Sequence, residues 1–414
     1  MRAAIHPFRR VCGVARSFGM STTIADEFVT KLNYNSTEII RLAHSDPAAA
    51  AGAFWQPLNN YRRLMSKLGL RHAQEELGAD RERFAAMMQT ESADERRQRL
   101  QAFAKYSKRL VAAEDPDAVG AAEAHKLSRA PYRETVEINV TSARDRNDAT
   151  LDAMGFSLQE WPSDVCNWHD PTEVKLVYHR EMIELIKART GATRVFCTPH
   201  RLRHTGKASA APPQQLQQAQ PPLHGVHNDF DSNFREELAT QLEALASTRA
   251  LAGGAGGGFG AVHGGAAQAI TVGLCDQLVA AGVDAEEIRS SRVMMVSAWR
   301  SIGRSPVERQ PLCFVDTRTV SADDVASIAM PAGIMGAFPL RLVYAAPSDT
   351  HRWHWFPRML PSEVALFKQF DSDTERSSRM LHSAVHHPST PNEAEARQSI
   401  EMRMLCLLPR ATPT

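Results

Sequence analysis

The sequence predicts a mainly β fold with helices (α+β), a β-sandwich or barrel preceded by a helical N-terminal stretch. Two observations carry this. After residue 292, short apolar or alternating runs follow one another with turn residues between most of them and no regular helices, which is the texture of antiparallel sheets. Before residue 125 the chain is instead rich in Ala, Arg, Glu and Gln, and residues 75–105 space their apolar side chains at about 3.6 residues.

Taken in order, residues 1–25 carry Arg2, Arg9, Arg10 and Arg16 ahead of the first acid, Asp26. That composition suits either an organelle transit peptide of mitochondrial type or a basic disordered tail on a cytoplasmic protein. Residues 26–130 are expected to form a helical N-terminal extension. Residues 131–410 hold the β domain: 135–140 alternate as a strand does, and 175–190 read as an amphipathic helix leading into a strand at 194–197. Low-complexity insertions rich in Ala, Pro and Gln (206–222) and in Gly and Ala (251–268) interrupt it. The second lacks the long apolar side chains of a membrane span and reads as a surface loop. Strands are expected at 293–299, 312–315, 340–344, 352–356, 364–370 and 400–408.

The 414 residues are 43% apolar, ample for a buried core. Lys and Arg number 48 against 47 for Asp and Glu, so no net field draws the chain onto nucleic acid or an anionic membrane. Small molecules remain the expected partners. The six cysteines include no Cys-x-x-Cys pair, which points to a reducing compartment rather than a zinc or redox motif. The glycine-rich stretch follows no strand and lacks the phosphate-cradling spacing.

The chemistry lies in His227-Asn-Asp229. On an extended strand residues i and i+2 share a face, so this imidazole and carboxylate can hold one metal ion. A second histidine cluster (His382, His386, His387) lies far downstream, followed by Arg397-Gln-Ser399. Two imidazoles and a carboxylate form the facial set that leaves positions open on non-haem Fe(II). A bidentate 2-oxo acid fills two of those positions and O2 a third. The far carboxylate of 2-oxoglutarate then needs a planar cation and a hydroxyl, which Arg397 and Ser399 supply from one strand face. Residues 388–395 are turn-rich and can fold Arg397 back beside His382; His386 remains a rival ligand.

At these residues the chain resembles a family of fungal and bacterial hydroxylase/desaturases that includes gibberellin desaturase-like proteins and the cephamycin 7-alpha-methoxylation accessory component. The matching stretches span about two thirds of the chain. They include Leu151-Asp-Ala-Met-Gly-Phe-Ser-Leu, Val177-Tyr-His-Arg-Glu, Val226-His-Asn-Asp and Ala298-Trp-Arg. More specific are His351-Arg-Trp-His-Trp-Phe-Pro, Glu363-Val-Ala-Leu-Phe-Lys-Gln-Phe-Asp-Ser, Leu381-His-Ser-Ala and Arg397-Gln-Ser-Ile-Glu-Met-Arg.

The resemblance implies a double-stranded β-helix (jelly roll) and dependence on Fe(II), 2-oxoglutarate and O2. It also implies hydroxylation or desaturation of a small metabolite as 2-oxoglutarate is decarboxylated to succinate. By position, His227, Asp229 and His382 match the metal residues, and Arg397 with Ser399 the co-substrate site. The chain departs from the family in its Gly/Ala insertion, its Gln-rich linker and the Ser-Ala-Val-His that follows His382, which bears on substrate identity.

Arg300, next to Trp299, is a further candidate anchor for substrate or co-substrate, with a structural ion pair as the alternative. Trp353 and Trp355 are either pocket or packing residues, and His351 and His354 are core or surface histidines. Two other functions compete: a non-catalytic barrel that binds a metabolite or partners a methyltransferase, and a cupin-like dioxygenase that needs no 2-oxoglutarate. The sequence sets no oligomeric state.

Overall fold

The computed structural model describes residues 25–51, 133–205, 222–251, 266–329, 341–378 and 380–409. The first of its strands, β1 (Phe28–Asn35), is followed by helix α1 (Thr37–Ser45), whose first turn is capped by the Ser36 hydroxyl accepting from Ile39 N. Next come β2 (Arg133–Ser142), β3 (Phe156–Glu160), α2 (Pro171–Leu176), α3 (Tyr178–Thr190), β4 (Arg194–Cys197), β5 (Arg201–His204) and β6 (His227–Asn228). Three helices follow, α4 (Phe234–Leu251), α5 (Ala266–Ala280) and α6 (Ala285–Ser290). The remaining strands are β7 (Arg292–Ser301), β8 (Leu312–Val315), β9 (Val325–Ala329), β10 (Arg341–Ala345), β11 (Trp353–Trp355), β12 (Glu363–Asp371), β13 (His382–Ala384) and β14 (Gln398–Leu408).

These strands build two sheets. The larger has eight strands in the order β1-β2-β11-β8-β13-β6-β10-β9, and the smaller runs β3-β12-β7-β14-β4 with β5 also paired to β14. Every pairing is antiparallel except β2 with β11. Most strands adjacent in space are remote in sequence, and the chain passes from one sheet to the other through β5-β6-β7-β8 and again through β11-β12-β13-β14, which is the jelly-roll arrangement expected.

The smaller sheet shows why each strand has two faces. Met294, Val296 and Ala298 of β7 and Ile400, Met402 and Met404 of β14 pack outward against Tyr178, Met182, Leu185 and Ile186 of α3. Each large aliphatic side chain buried there contributes roughly 1.5–3 kcal/mol. On the opposite face Val293, Met295, Leu405 and Leu407 meet Leu238, Leu242, Leu274, Leu278 and Ile288 from α4, α5 and α6. That helical layer covers one end of the space between the sheets and leaves the other end to Trp299, Phe367 and the polar residues described below.

The expected helical character of residues 26–130 does not extend to Phe28–Asn35. That segment pairs along its whole length with β2 in the larger sheet, because Phe28, Thr30, Leu32 and Tyr34 alternate as buried residues against a strand a hundred positions away. Residues 52–132, and the basic segment 1–24, lie outside the described residues. Leu251 and residues 266–268, the ends of the Gly/Ala insertion, belong to helices α4 and α5.

Candidate metal centre

Three of the residues singled out in the sequence converge. His227, Asp229 and His382 present ligand atoms that all lie within 4.8 Å of one another, and among the described residues no other such group occurs. The cause is register: β6 and β13 are hydrogen-bonded neighbours, with His382 directly opposite His227. Their rings stand 4.5 Å apart at 46°.

Both imidazoles are oriented from behind. His227 Nδ1 lies 2.6 Å from Gly225 O and His382 Nδ1 lies 3.3 Å from Met380 O. Donating Nδ1–H to a backbone carbonyl fixes the tautomer and leaves the Nε2 lone pair for a cation. Burial, with the neighbouring His227 adding to it, pushes the His382 pKa down to about 4, so its neutral, ligand-competent form prevails near neutral pH.

Asp229 is held on one side only. Its Oδ2 accepts from Arg403 Nε (2.9 Å) and Nη2 (2.6 Å) and from Gln369 Nε2 (2.8 Å). Its Oδ1 stands 3.7 Å from His227 Nε2, too far for a hydrogen bond. Burial alone would raise its pKa, but Arg403 and the two histidines outweigh that and hold it below the usual carboxylate range.

Gln369 follows Phe367 on the inner face of β12, at a bulge between Lys368 and Phe370. Its side chain accepts from Asp229 N and donates to Ser297 Oγ as well.

Neither Arg403 nor Gln369 was singled out by sequence reasoning. The signal was present in β14, where Ser399, Glu401 and Arg403 alternate with Ile400 and Met402, the pattern of a strand with a polar inner face. Glu401 is buried beside Arg203 (3.3 Å) and Arg403 (2.7 Å). These two guanidiniums overcome burial and hold its carboxyl below the ordinary range.

Arg397 lines the same cavity as His227 and His382. Its guanidinium lies 5.0 Å over the Trp299 ring, its Nε donates to Ser399 Oγ (3.3 Å), and its Nη1 donates to Gln310 O. Among the described residues it has no ion-pair partner, although it is buried deeply enough to push its pKa down to about 9. A buried guanidinium without a carboxylate is a site for an incoming anion. The cavity itself measures about 20 Å³, room for roughly one water. An organic anion entering there would have to displace side chains, and a carboxylate would compensate the Arg397 charge better than the Gln310 carbonyl does.

Arg300 does not join this cluster, which corrects its expected place as an anchor. On β7 Ser297 and Trp299 face the interior, so Arg300 faces outward. It is buried with its guanidinium 5.3 Å from the Tyr178 ring and 5.8 Å from the Trp168 ring, donating to Trp161 O. His386 is also outside the cluster and stacks on His224 at 4.7 Å. His351 and His354 are structural, bonded to Tyr34 Oη (3.1 Å) and Thr141 Oγ1 (2.9 Å).

Residues 104–252 and 258–407, well over half of the chain, match the family described as an oxidoreductase/YMDC permease-like domain. The chain belongs to that oxidoreductase family. Among curated relatives of this oxidoreductase, the gibberellin cluster GA4 desaturase of Gibberella fujikuroi is 28% identical over 293 residues, 62% of this chain and 82% of its own length. An alpha-ketoglutarate-dependent dioxygenase, phiK, of a fungal species is 25% identical over 273 residues, covering 65% and 82% respectively. The Fe(II)/2-oxoglutarate-dependent dioxygenase nvfI of Aspergillus novofumigatus is 32% identical over 133 residues, 30% of this chain and 44% of its own length. Among the described residues of the oxidoreductase, no helix is long and apolar enough to cross a membrane.

The donor set fits the metal and co-substrate that these relatives use. Two Nε2 lone pairs and one free carboxylate oxygen suit Fe(II) with positions left open, and the unpaired Arg397 suits the far carboxylate of 2-oxoglutarate.

Proposed function

We propose that His227, Asp229 and His382 hold Fe(II), that Arg397 and Ser399 hold 2-oxoglutarate, and that the chain oxidises a small-molecule metabolite by hydroxylation or desaturation. The observation that carries this is the meeting of those three ligand atoms within 4.8 Å, in a cavity that also holds a buried guanidinium without an acid. Relatives named as desaturase and dioxygenases support it. When bound, iron and 2-oxoglutarate supply the oxidising power drawn from O2, with succinate and carbon dioxide as by-products.

The protein's own part is positional. Gly225 O and Met380 O fix the two imidazoles, and Arg403 and Gln369 fix the carboxylate. Trp299, Phe367, Leu223 and Leu312 form the apolar part of a lining that is otherwise charged, and their bulk limits the room for water beside the centre. In this reading residues 131–410 form the oxygenase domain, with β1 added to its larger sheet. A cytoplasmic location, or a mitochondrial one directed by the basic segment before Asp26, rests on composition alone.

Succinate release from 2-oxoglutarate in air is the direct test. The expected result is release that requires added Fe(II), rises with a substrate from a metabolite library, and disappears in His382→Ala. Release that persists in that variant, or iron retained with no turnover of 2-oxoglutarate, contradicts the assignment.

A further inference from the structure

The inner face of the smaller sheet carries more positive charge than iron and 2-oxoglutarate consume. On β5, Arg203 pairs in register with Ser399 and Arg201 with Glu401, so both arginines lie on the face that bears Arg397 and Arg403. Four guanidiniums thus meet two carboxylates, Asp229 and Glu401. Arg403 is committed to both acids and Arg203 to Glu401. A divalent metal and a dianionic co-substrate cancel each other, so the surplus survives loading of the site.

Arg201 is where that surplus is free. Among the described residues its guanidinium makes no hydrogen bond and no ion pair, although Asp229, Glu401, Arg203 and Arg403 lie within its electrostatic reach and burial lowers its pKa. The chain cannot neutralise it locally either: from β5 to Asp229 the sequence contains no Asp or Glu. Unlike Arg397 it is only partly buried, so a ligand arriving from solvent can reach it, one position along the strand face from Arg203, which lines the cavity. A planar two-point donor in that position is suited to a carboxylate.

We propose that Arg201 anchors a carboxylate carried by the organic substrate, so that the substrate class is organic acids. This rests on the oxygenase reading above. The Arg201 contact holds the substrate by an end remote from the carbon that reacts, and its loss weakens substrate binding without touching the metal ligands.

The test is calorimetry on the full chain loaded with Fe(II) and 2-oxoglutarate and kept free of oxygen. The probes are alicyclic and aromatic monocarboxylates, including 1-adamantanecarboxylate and 1-naphthoate, each beside its methyl ester. The expected result is that acids bind roughly ten- to a hundredfold more tightly than their esters. Arg201→Gln is expected to erase that preference, and Arg201→Lys to keep part of it. Acids that bind no better than esters, no acid binding at all, or an acid preference intact in Arg201→Gln would overturn the proposal. A tenfold loss of 2-oxoglutarate affinity in Arg201→Gln would also overturn it, by assigning Arg201 to the co-substrate. Failure of Fe(II) and 2-oxoglutarate themselves to bind the wild-type chain, measured first in the same instrument, would instead remove the oxygenase reading on which it rests.

Discussion

Arg403 grips Asp229 by a single oxygen: both its Nε and its Nη2 end on Oδ2, at 2.9 and 2.6 Å, and Oδ1 is left facing His227. A bidentate pairing would have used both carboxylate oxygens. The one-sided grip keeps Asp229 ionised and leaves one of its oxygens available to a cation.

Replacing Arg403 by Gln should therefore weaken both the site and the fold. Iron affinity is expected to fall roughly 10–100-fold, because an outer partner of a metal-binding carboxylate is lost. The fold should lose about 3–5 kcal/mol, since Asp229 and Glu401 are left buried without their shared cation. Metal titration and urea unfolding of the apo protein measure the two effects separately. Unchanged iron affinity would remove Arg403 from the account of the centre.

Arg397→Lys keeps the charge but not the planar fork. Its expected effect is a roughly 10–100-fold loss of 2-oxoglutarate affinity with iron affinity altered by no more than about twofold. Equilibrium binding of each component checks this. A parallel loss of iron would place Arg397 in the metal site rather than beside it.

Gly155 sits at φ +90°, and a Cβ built there would come within 2.4 Å of Ser377 Oγ, 2.6 Å of Met380 Cε and 2.9 Å of Thr317 Cγ2. Met380 is the residue whose carbonyl orients His382. Gly155→Ala is expected to cost about 2–4 kcal/mol through the combined backbone and overpacking penalties. It should also loosen metal binding through the displaced Met380. Thermal melting and metal titration report the two effects, and a melting temperature equal to that of the wild type would contradict the first.

Acid should destabilise the apo protein well above the pH at which carboxylates protonate. Burial pushes His354 down to about 4, and His179 likewise to about 4. The unfolded chain protonates the same groups near their ordinary value, about 6.5. Between those values the unfolded state holds more protons, so stability rises with pH and is lost as pH falls from about 6.5 toward 4. For the buried His354 the slope approaches about 1.4 kcal/mol per pH unit at most. Urea midpoints across this window should show the slope, and His354→Gln should reduce it. A flat profile would contradict the assignment of neutral buried imidazoles.

Much of this architecture was legible in the sequence, for reasons that differ by element. The i, i+2 relation in His227-Asn-Asp229 is local, and a strand delivers it without reference to the rest of the chain. The strands near 293–299, 364–370 and 400–408 advertised themselves by composition. The partner of β1 did not, because pairing with β2 depends on a segment a hundred residues on.

Arg300 shows the limit of reading one strand alone. Either Trp299 or Arg300 faces inward, never both, and only the packing of α3 against Val296 and Ala298 decides the phase. Gln369 was hidden for another reason. It shares a face with Phe367, but its bond to Asp229 joins segments 140 residues apart that only the fold brings together.

The central claim is that His227, Asp229 and His382 hold iron so that 2-oxoglutarate can join it. Anaerobic addition of Fe(II) and 2-oxoglutarate, followed by visible absorption, tests it most directly. The account predicts a metal-to-ligand charge-transfer band in the wild-type protein that is absent from Asp229→Ala. A band of equal strength in that variant, or none in the wild type while iron is retained, would contradict it.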